Sequence, residues 1–332
     1  VVVFSLGTFT FSGAQVPLNA RWEVLREADS RTNYANLVIV GESFPAGDAL
    51  EKEFPAHAKA IVDTLDGQAR YGKWASGWGK MRIMLAKVVS EESGISDPSK
   101  GIKRKTFFGS FLREGDEAII LSDEGYQRVA QVLSGVPGGY DIEKDMAIMV
   151  VNDAKGRGSF LSFGGGYTIG TTSLRTRADK LVSPMYTASH EWGHNFLWDE
   201  YPEAFEVYEI CFDSFPHCLN VMRVHPEKLS SLRREEIKWF DLLTSGVDIP
   251  TTRSPETNGK VIGFYRLRGL EPAEKYYIGF IGCIMNGGFS WKPHFCPVCQ
   301  EGIRRSLRRR FEMLAADFNE DGVVDLNDFF LF

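Results

Sequence analysis

The segment from His190 to His194, His-Glu-Trp-Gly-His, constrains this chain most strongly, because its spacing is useful only on a helix. Residues four apart on an α-helix lie one turn above each other, so His190 and His194 can direct both imidazoles at one ion. Glu191 lies about 100° round the helix, where it reaches a water bound to that ion more easily than the ion itself. Pro184 suits the first turn of such a helix. Although the spacing also occurs by chance on amphipathic helices, it predicts a metal-binding helix with Glu191 as candidate general base.

A catalytic Zn²⁺ ion takes three protein ligands and keeps one position for water, so a third ligand is expected near the helix. The nearest carboxylates are Asp199 and Glu200. Glu200 follows His194 by six residues, the spacing of the third ligand in metzincin-type proteases, although Leu197 stands where those enzymes have a glycine. Both carboxylates therefore remain candidates. The alternative for either is a helix-end carboxylate hydrogen-bonded to the backbone.

The end of the chain has the spacing of an EF-hand-type calcium loop. Oxygen-bearing residues stand at loop positions 1, 3, 5, 9 and 12, and Gly322 at position 6 allows the turn. Aspartate replaces the usual bidentate glutamate at position 12, as in dockerin-like repeats. The predicted Ca²⁺ ligands are Asp317, Asn319, Asp321, the carbonyl of Val323, Asp325 and Asp328.

Composition bounds the class of protein. A chain of 332 residues that is 43% hydrophobic and 25% charged is long enough for one or two globular domains with a sizeable core. A net charge of −6 argues against a nucleic-acid surface, and the arginines of residues 304–310 are predicted to form the solvated face of an amphipathic helix. No apolar run reaches the length of a membrane span. Residues 1–14 fit either the end of a secretory signal or a strand.

The first half of the chain alternates strand and helix patterns, which predicts an α/β layer. Asn36–Gly41 and Met146–Val151 are continuous apolar runs typical of buried parallel strands, and a helical pattern covers Phe54–Leu65. Short strands are also predicted at Met81–Val89 and Ala118–Leu121, and a helix at Tyr126–Leu133. The glycine run Gly164–Gly166 after Ser159–Phe163 is expected to be a flexible or edge-strand segment beside the active site, and an edge strand there could hold substrate by strand addition.

All five cysteines follow the metal-binding helix. Cys296-Pro-Val-Cys299 fits a redox pair or half of a structural zinc site, but no second C-x-x-C completes four thiolates. In a secreted chain disulfides are the expected state, with at least one cysteine left over. The order of the cysteines does not define their connectivity.

Several segments together resemble the IgA-peptidase family of bacterial zinc metallopeptidases. Asn36–Glu42 is similar to that family's apolar strand and turn, and Ser90–Ile95 to its Ser-x-x-Ser-Gly-Val segment. The core from His190 to Phe196, followed by Asp-Glu-Tyr, is similar to the family signature. Ile237-Lys-Trp, Cys283-Ile-Met and Phe295-Cys-Pro-Val-Cys resemble later motifs. In the family, two more residues separate the second histidine from Asp-Glu-Tyr, so here the helix is expected to end earlier.

The resemblance implies a domain organisation and a fold. Residues 35–312 form the metallopeptidase domain, residues 1–34 a signal remnant or an N-terminal strand segment, and residues 313–332 the calcium-binding segment. The fold class is α/β and metzincin-like, with a mixed sheet, an active-site helix and an irregular C-terminal half. Met285 becomes the candidate for the methionine beneath the metal, with core packing as the alternative role and Met222 as the rival.

These observations predict a secreted, extracellular zinc endopeptidase acting on a protein or peptide substrate. Immunoglobulin cleavage does not follow from the family, because specificity lies in the loops of the site. One alternative is a binding protein that has lost turnover through its shortened ligand spacing and is tethered to a cohesin-like or surface partner by the calcium segment. Another is a thiol redox protein that uses Cys296 and Cys299, although no strand-to-helix turn of the thioredoxin kind precedes them.

Overall fold

The computed structural model describes most of the chain, and its helices and strands are numbered in chain order. Described are residues 20–30, 33–72, 74–114, 118–142, 144–153, 159–163, 167–173, 184–197, 221–257, 259–266, 275–281, 283–285 and 294–311. The strands are β1 Arg21–Arg26, β2 Ala35–Glu42, β3 Met81–Lys87, β4 Phe111–Leu112, β5 Ile119–Ile120, β6 Met146–Val151, β7 Ser159–Phe163, β8 Tyr167–Ser173, β9 Val221–Val224, β10 Tyr265–Arg266 and β11 Lys275–Ile278. The helices are α1 Phe54–Tyr71, α2 Ala75–Gly79, α3 Asp123–Ser134, α4 Pro184–Leu197 and α5 Pro297–Arg310.

The main sheet is mixed, as predicted. Within the described ranges its order is β1-β3-β2-β6-β8-β7, with parallel pairing from β3 through β8. The outermost strands β1 and β7 pair antiparallel with their neighbours. Every residue of β2 and β6 is buried, which explains why both appear in the sequence as continuous apolar runs.

One face of this sheet carries a core that also includes α3. Val38 and Met149 of the central strands share one buried cluster with Val129 and Leu133 of α3. The helix begins after Ser122, whose hydroxyl oxygen accepts a hydrogen bond from the Gly125 amide at 3.1 Å. The predicted helix is therefore confirmed with an earlier start. The strand predicted at Ala118–Leu121 is only the two-residue β5, which pairs with β4 outside the main sheet.

A buried carboxylate closes the carboxyl end of β2. Glu42 accepts hydrogen bonds from the Ser110 hydroxyl at 2.7 Å, the Phe108 amide at 3.2 Å and the Ser110 amide at 3.3 Å. The Ser90 hydroxyl donates to the same carboxylate at 3.4 Å and accepts from the Ser43 amide at 3.1 Å. Two segments that resemble the peptidase family, one ending at Glu42 and one beginning at Ser90, thus meet at this point.

The chain divides into two compact units. The first comprises Val1–Ala28, Tyr34–Ile61 and Met81–Glu191, and contains the main sheet. The second comprises Asp29–Asn33, Val62–Lys80 and Trp192–Phe332. The second unit contains α2 and the end of α1. From residue 221 onward its described part has the short sheet β10-β11-β9, several short 3₁₀ turns and α5, which agrees with the irregular C-terminal half predicted.

Helix α5 confirms the amphipathic pattern predicted for the basic segment. Ile303 and Leu307 are buried, while Arg304 and Arg305 bond to the carboxylate of Glu301 at 2.7 Å and 2.6 Å. These two arginines therefore pair with an acidic side chain of their own helix. Among the described residues, no helix combines the length and apolar character needed to cross a membrane.

Candidate active site

Helix α4 carries the three residues that the sequence assigns to metal binding and proton transfer. It runs without a break from Pro184 to Leu197, so His190 and His194 stand one turn apart, a rise of about 6 Å. His190 is partly buried and Glu191 is buried, with 5% of its surface exposed. The backbone register of α4 places two histidine positions one turn apart, the spacing that two ligands of one zinc ion on a helix require. The side chain of His194, and Asp199 and Glu200, lie outside the described residues.

Glu191 lies directly against strand β8. A Cβ atom built on Gly170 would be 2.9 Å from the Cβ atom of Glu191 and 3.4 Å from its carbonyl carbon and oxygen. Contacts under 3.0 Å do not occur between real Cβ atoms and their neighbours. Glycine at position 170 therefore lets the backbone of β8 approach the helix at its candidate base. Because the neighbour is partly backbone, this spacing is fixed by the fold of the first unit.

Strand β7 agrees with the edge-strand alternative predicted for the segment around Ser159–Phe163. It forms one end of the described sheet and pairs antiparallel with β8, with Phe160 opposite Gly170. The strand beside β7 is thus the one that contacts Glu191 through Gly170. This places a sheet edge one strand away from the candidate base within the first unit.

Trp192 anchors α4 to an aromatic cluster of the second unit. Its ring is fully buried and stacks on Trp74 with centroids 5.1 Å apart, and it meets Trp78 edge-on at 5.4 Å. Phe295 completes this aromatic cluster at 6.2 Å from Trp192. Trp192 lies about 200° round the helix from each of the two histidines. Positions 190 and 194 therefore lie on the opposite side of the α4 backbone from Trp192.

Gly193 allows a second close contact beneath α4. A Cβ atom at this position would be 2.7 Å from the sulfur of Met285 and 2.8 Å from a ring carbon of Phe295. Gly193 lies about 60° from the first histidine round the helix, so Met285 packs beside the histidine face. Its rival Met222 is on β9, opposite Tyr277 of β11. Of the two candidates, Met285 is the one that lies against Gly193 of the H-E-x-x-H segment in the observed contacts.

Three cysteines form a cluster that the sequence did not predict in full. The sulfurs of Cys283, Cys296 and Cys299 all lie within 4.8 Å of one another, and all three residues are buried. Cys296 precedes α5 and Cys299 is in its first turn, while Cys283 comes from the turn that carries Met285. The C-x-x-C spacing indicated two of these residues. The sequence did not indicate Cys283 as a third member, because it is distant from the pair along the chain and only the fold brings the three together.

Mutual hydrogen bonding separates the pKa values of the three thiols. Burial raises the pKa of Cys283, but hydrogen bonds with the thiols of Cys296 and Cys299 and with the backbone at Cys296 and Met285 outweigh burial, and hold that pKa well below its usual range. Burial, followed by the interaction with Cys283, raises the pKa of Cys296 well above its usual range. Hydrogen bonds with Cys283 and Cys296, together with burial, raise the pKa of Cys299 well above its usual range. Ionisation of Cys283 therefore opposes ionisation of the other two thiols.

Other predicted sites fall outside the described residues. This holds for the calcium loop at residues 317–328, for Cys211 and Cys218, for residues 1–14 and for the glycine run at residues 164–166.

Comparison with known families identifies one match. The sequence model of the family described as IgA Peptidase M64 matches residues 24–261, well over half of the chain. The matched range contains the main sheet and all of α4, and it ends before the three clustered cysteines. A comparison with individual curated proteins gives no match.

Proposed function

Because the chain belongs to the IgA peptidase M64 family, we propose that it is a zinc-dependent endopeptidase whose active site is built on α4. The observation that carries the proposal is the unbroken helix that bears His190, Glu191 and His194 inside the matched range. The two histidines and one carboxylate, Asp199 or Glu200, would hold the ion. A bound zinc ion would polarise the scissile carbonyl and lower the pKa of its water to roughly 7.

Glu191 is the proposed general base. Its carboxylate accepts the proton of the water that attacks the peptide carbonyl and then delivers that proton to the leaving amine. This role requires a fixed carboxylate, because proton transfer depends on short and well-aligned hydrogen bonds. Support comes from the burial of Glu191 and from its close contact with Gly170, which restricts movement of this part of α4 against β8.

The proposed substrate is a protein or peptide that binds in an extended conformation along β7. An exposed sheet edge can take up a substrate backbone as an additional strand, with side-chain pockets supplying specificity. In support, β7 ends the described sheet, and its neighbour β8 contacts the candidate base. Substrate bound at this edge would pair with β7, one strand away from the strand that adjoins Glu191.

Metal analysis of the purified chain and of a double variant, His190→Ala with His194→Ala, tests the proposal. The parent chain should hydrolyse casein in a chelator-sensitive manner. The variant should lose this hydrolysis together with about one zinc ion per chain. If parent and variant hold the same amount of zinc, α4 is not the zinc site. If the double variant loses zinc but the parent hydrolyses no casein, the alternative of a binding protein that has lost turnover is favoured. The feature that motivates this alternative is the shortened spacing between His194 and the carboxylates Asp199 and Glu200.

The C-terminal loop is proposed to bind Ca²⁺ through Asp317, Asn319, Asp321, Val323, Asp325 and Asp328, and to tether the enzyme to a cohesin-like or surface partner in an extracellular setting. The support is the complete ligand spacing in the sequence. Calorimetric titration with Ca²⁺ should give a saturable site that Asp321→Ala removes. An unchanged titration in the variant would exclude this loop as the calcium site.

A further inference from the structure

Three free, buried thiols lie close together in the second unit without forming a disulfide. The sulfurs of Cys283 and Cys299 lie 3.4 Å apart, and all three sulfurs are within 4.8 Å of one another. A tetrahedral zinc ion with zinc–sulfur distances of about 2.3 Å holds its sulfurs about 3.8 Å apart. A disulfide requires a sulfur–sulfur distance of about 2.05 Å and would leave the third buried thiol without a covalent partner. The observed spacing therefore matches a shared ion.

Backbone amides point at these sulfurs in the way that favours thiolates. The Cys296 amide donates to the Cys283 sulfur at 3.2 Å, and the Cys299 amide donates to the Cys296 sulfur at 3.5 Å. Cys299 also lies in the first turn of α5, where the positive end of the helix dipole stabilises negative charge. Thiolates buried to this degree require a compensating positive charge, which a divalent cation provides.

We propose that Cys283, Cys296 and Cys299 bind a zinc ion that is structural and separate from the ion proposed on α4. Thiolates in a tetrahedral arrangement select zinc among the common divalent ions. Among the described His, Cys, Asp and Glu residues, no fourth member joins this group, so the three sulfurs supply three of the four positions of the ion.

The position of the cluster gives this ion a role beneath the active-site helix. Met285 follows Cys283 by two residues and Phe295 directly precedes Cys296, and both side chains pack against Gly193 of α4. The Ile284 amide donates to the carbonyl of residue 294 at 3.0 Å, which joins the same two segments. Binding of one ion to all three sulfurs would hold Met285 and Phe295 together under Gly193. Only this positioning role rests on the proposed function, since the site itself does not depend on α4.

The double variant His190→Ala with His194→Ala isolates the proposed site without altering any cysteine. Purified without chelators, it should retain about one zinc ion per chain. Its Co²⁺-substituted form should show the sulfur-to-cobalt charge-transfer absorption that imidazole and carboxylate ligands do not give. Retention of iron in place of zinc, or absence of metal, would overturn the proposal. So would a disulfide among the three cysteines, detected by mass spectrometry after alkylation without reduction.

A cysteine variant separates this site from the one on α4. Cys299→Ser should lose the sulfur-bound ion and keep the ion on α4, whereas the control double variant Cys211→Ser with Cys218→Ser should keep both. Retention of the sulfur-bound ion by a folded Cys299→Ser variant would contradict the proposal. If α4 binds no zinc, the parent and the histidine variant will contain equal zinc, but the sulfur-bound ion will still be present. The histidine variant decides the proposal even if Cys299→Ser does not fold.

Discussion

Gly193 lies so close to Met285 that a Cβ atom added to the glycine would be 2.7 Å from the methionine sulfur. The contact joins the middle of the H-E-x-x-H segment to the turn that begins at Cys283. Packing under α4 therefore depends on the absence of a side chain at position 193. The position of α4 within the second unit is sensitive to a single methyl group.

Gly193→Ala should lower the free energy of unfolding by about 1–3 kcal/mol, because the methyl group overpacks Met285 and Phe295. Alanine is otherwise the better helix former by about 1 kcal/mol, so the control Gly67→Ala in α1, where an added Cβ atom meets nothing within 4 Å, should stabilise the chain. Urea denaturation measures the free energy of unfolding of both variants. In a double-mutant cycle, Met285→Ala should offset part of the cost of Gly193→Ala. Additive costs would show that the two residues do not interact.

Gly170→Ala should impair catalysis, because the new methyl group would push β8 away from Glu191. A displacement of the base by a fraction of an ångström is expected to reduce kcat/KM on the order of 10–100-fold. Peptidase assays on zinc-loaded protein measure this reduction, with Gly67→Ala as the control that leaves activity unchanged. Full activity in Gly170→Ala would mean that contact with β8 does not position Glu191.

Much of the fold could be predicted because its signals are local. Spacing alone indicated α4, and continuous apolar residues marked β2 and β6, which are buried on both faces. Strand β8 gave no such signal, since its buried Thr171 and Thr172 are polar. The contacts of Gly170 with Glu191 and of Cys283 with the C-x-x-C pair join residues distant in sequence, so no local pattern contains them.

Glu42→Gln should destabilise the first unit by about 1–3 kcal/mol. The replacement amide group would meet donors at Phe108 or Ser110, where the carboxylate now accepts hydrogen bonds. Chemical denaturation of the parent and the variant measures this change in the free energy of unfolding. Glu91→Gln is the matched control, because the Glu91 side chain is 75% exposed and pairs only at the surface. Equal stability of the two variants would exclude an anchoring role for Glu42.

The pH dependence of stability should contain a contribution from Glu301. Burial opposes its ionisation, but hydrogen bonds from Arg304 and Arg305 outweigh burial and hold the pKa of Glu301 below its usual value. The carboxylate therefore stabilises the fold above the unfolded-state pKa of about 4.3, and this stabilisation is lost as the pH falls through the lower folded-state pKa. Glu301→Gln should remove about 1 kcal/mol at pH 7 and little in strong acid. A cost that does not change with pH would contradict this assignment.

Glu191→Gln provides the most direct measurement of the central claim, because it removes the base and leaves both histidines in place. Zinc content and hydrolysis of casein should be measured on the same preparation of parent and variant. We predict the same zinc content and a kcat at least 10²-fold lower in the variant. Hydrolysis at the parent rate by the zinc-loaded variant would contradict the assignment of Glu191 as the general base of a zinc peptidase.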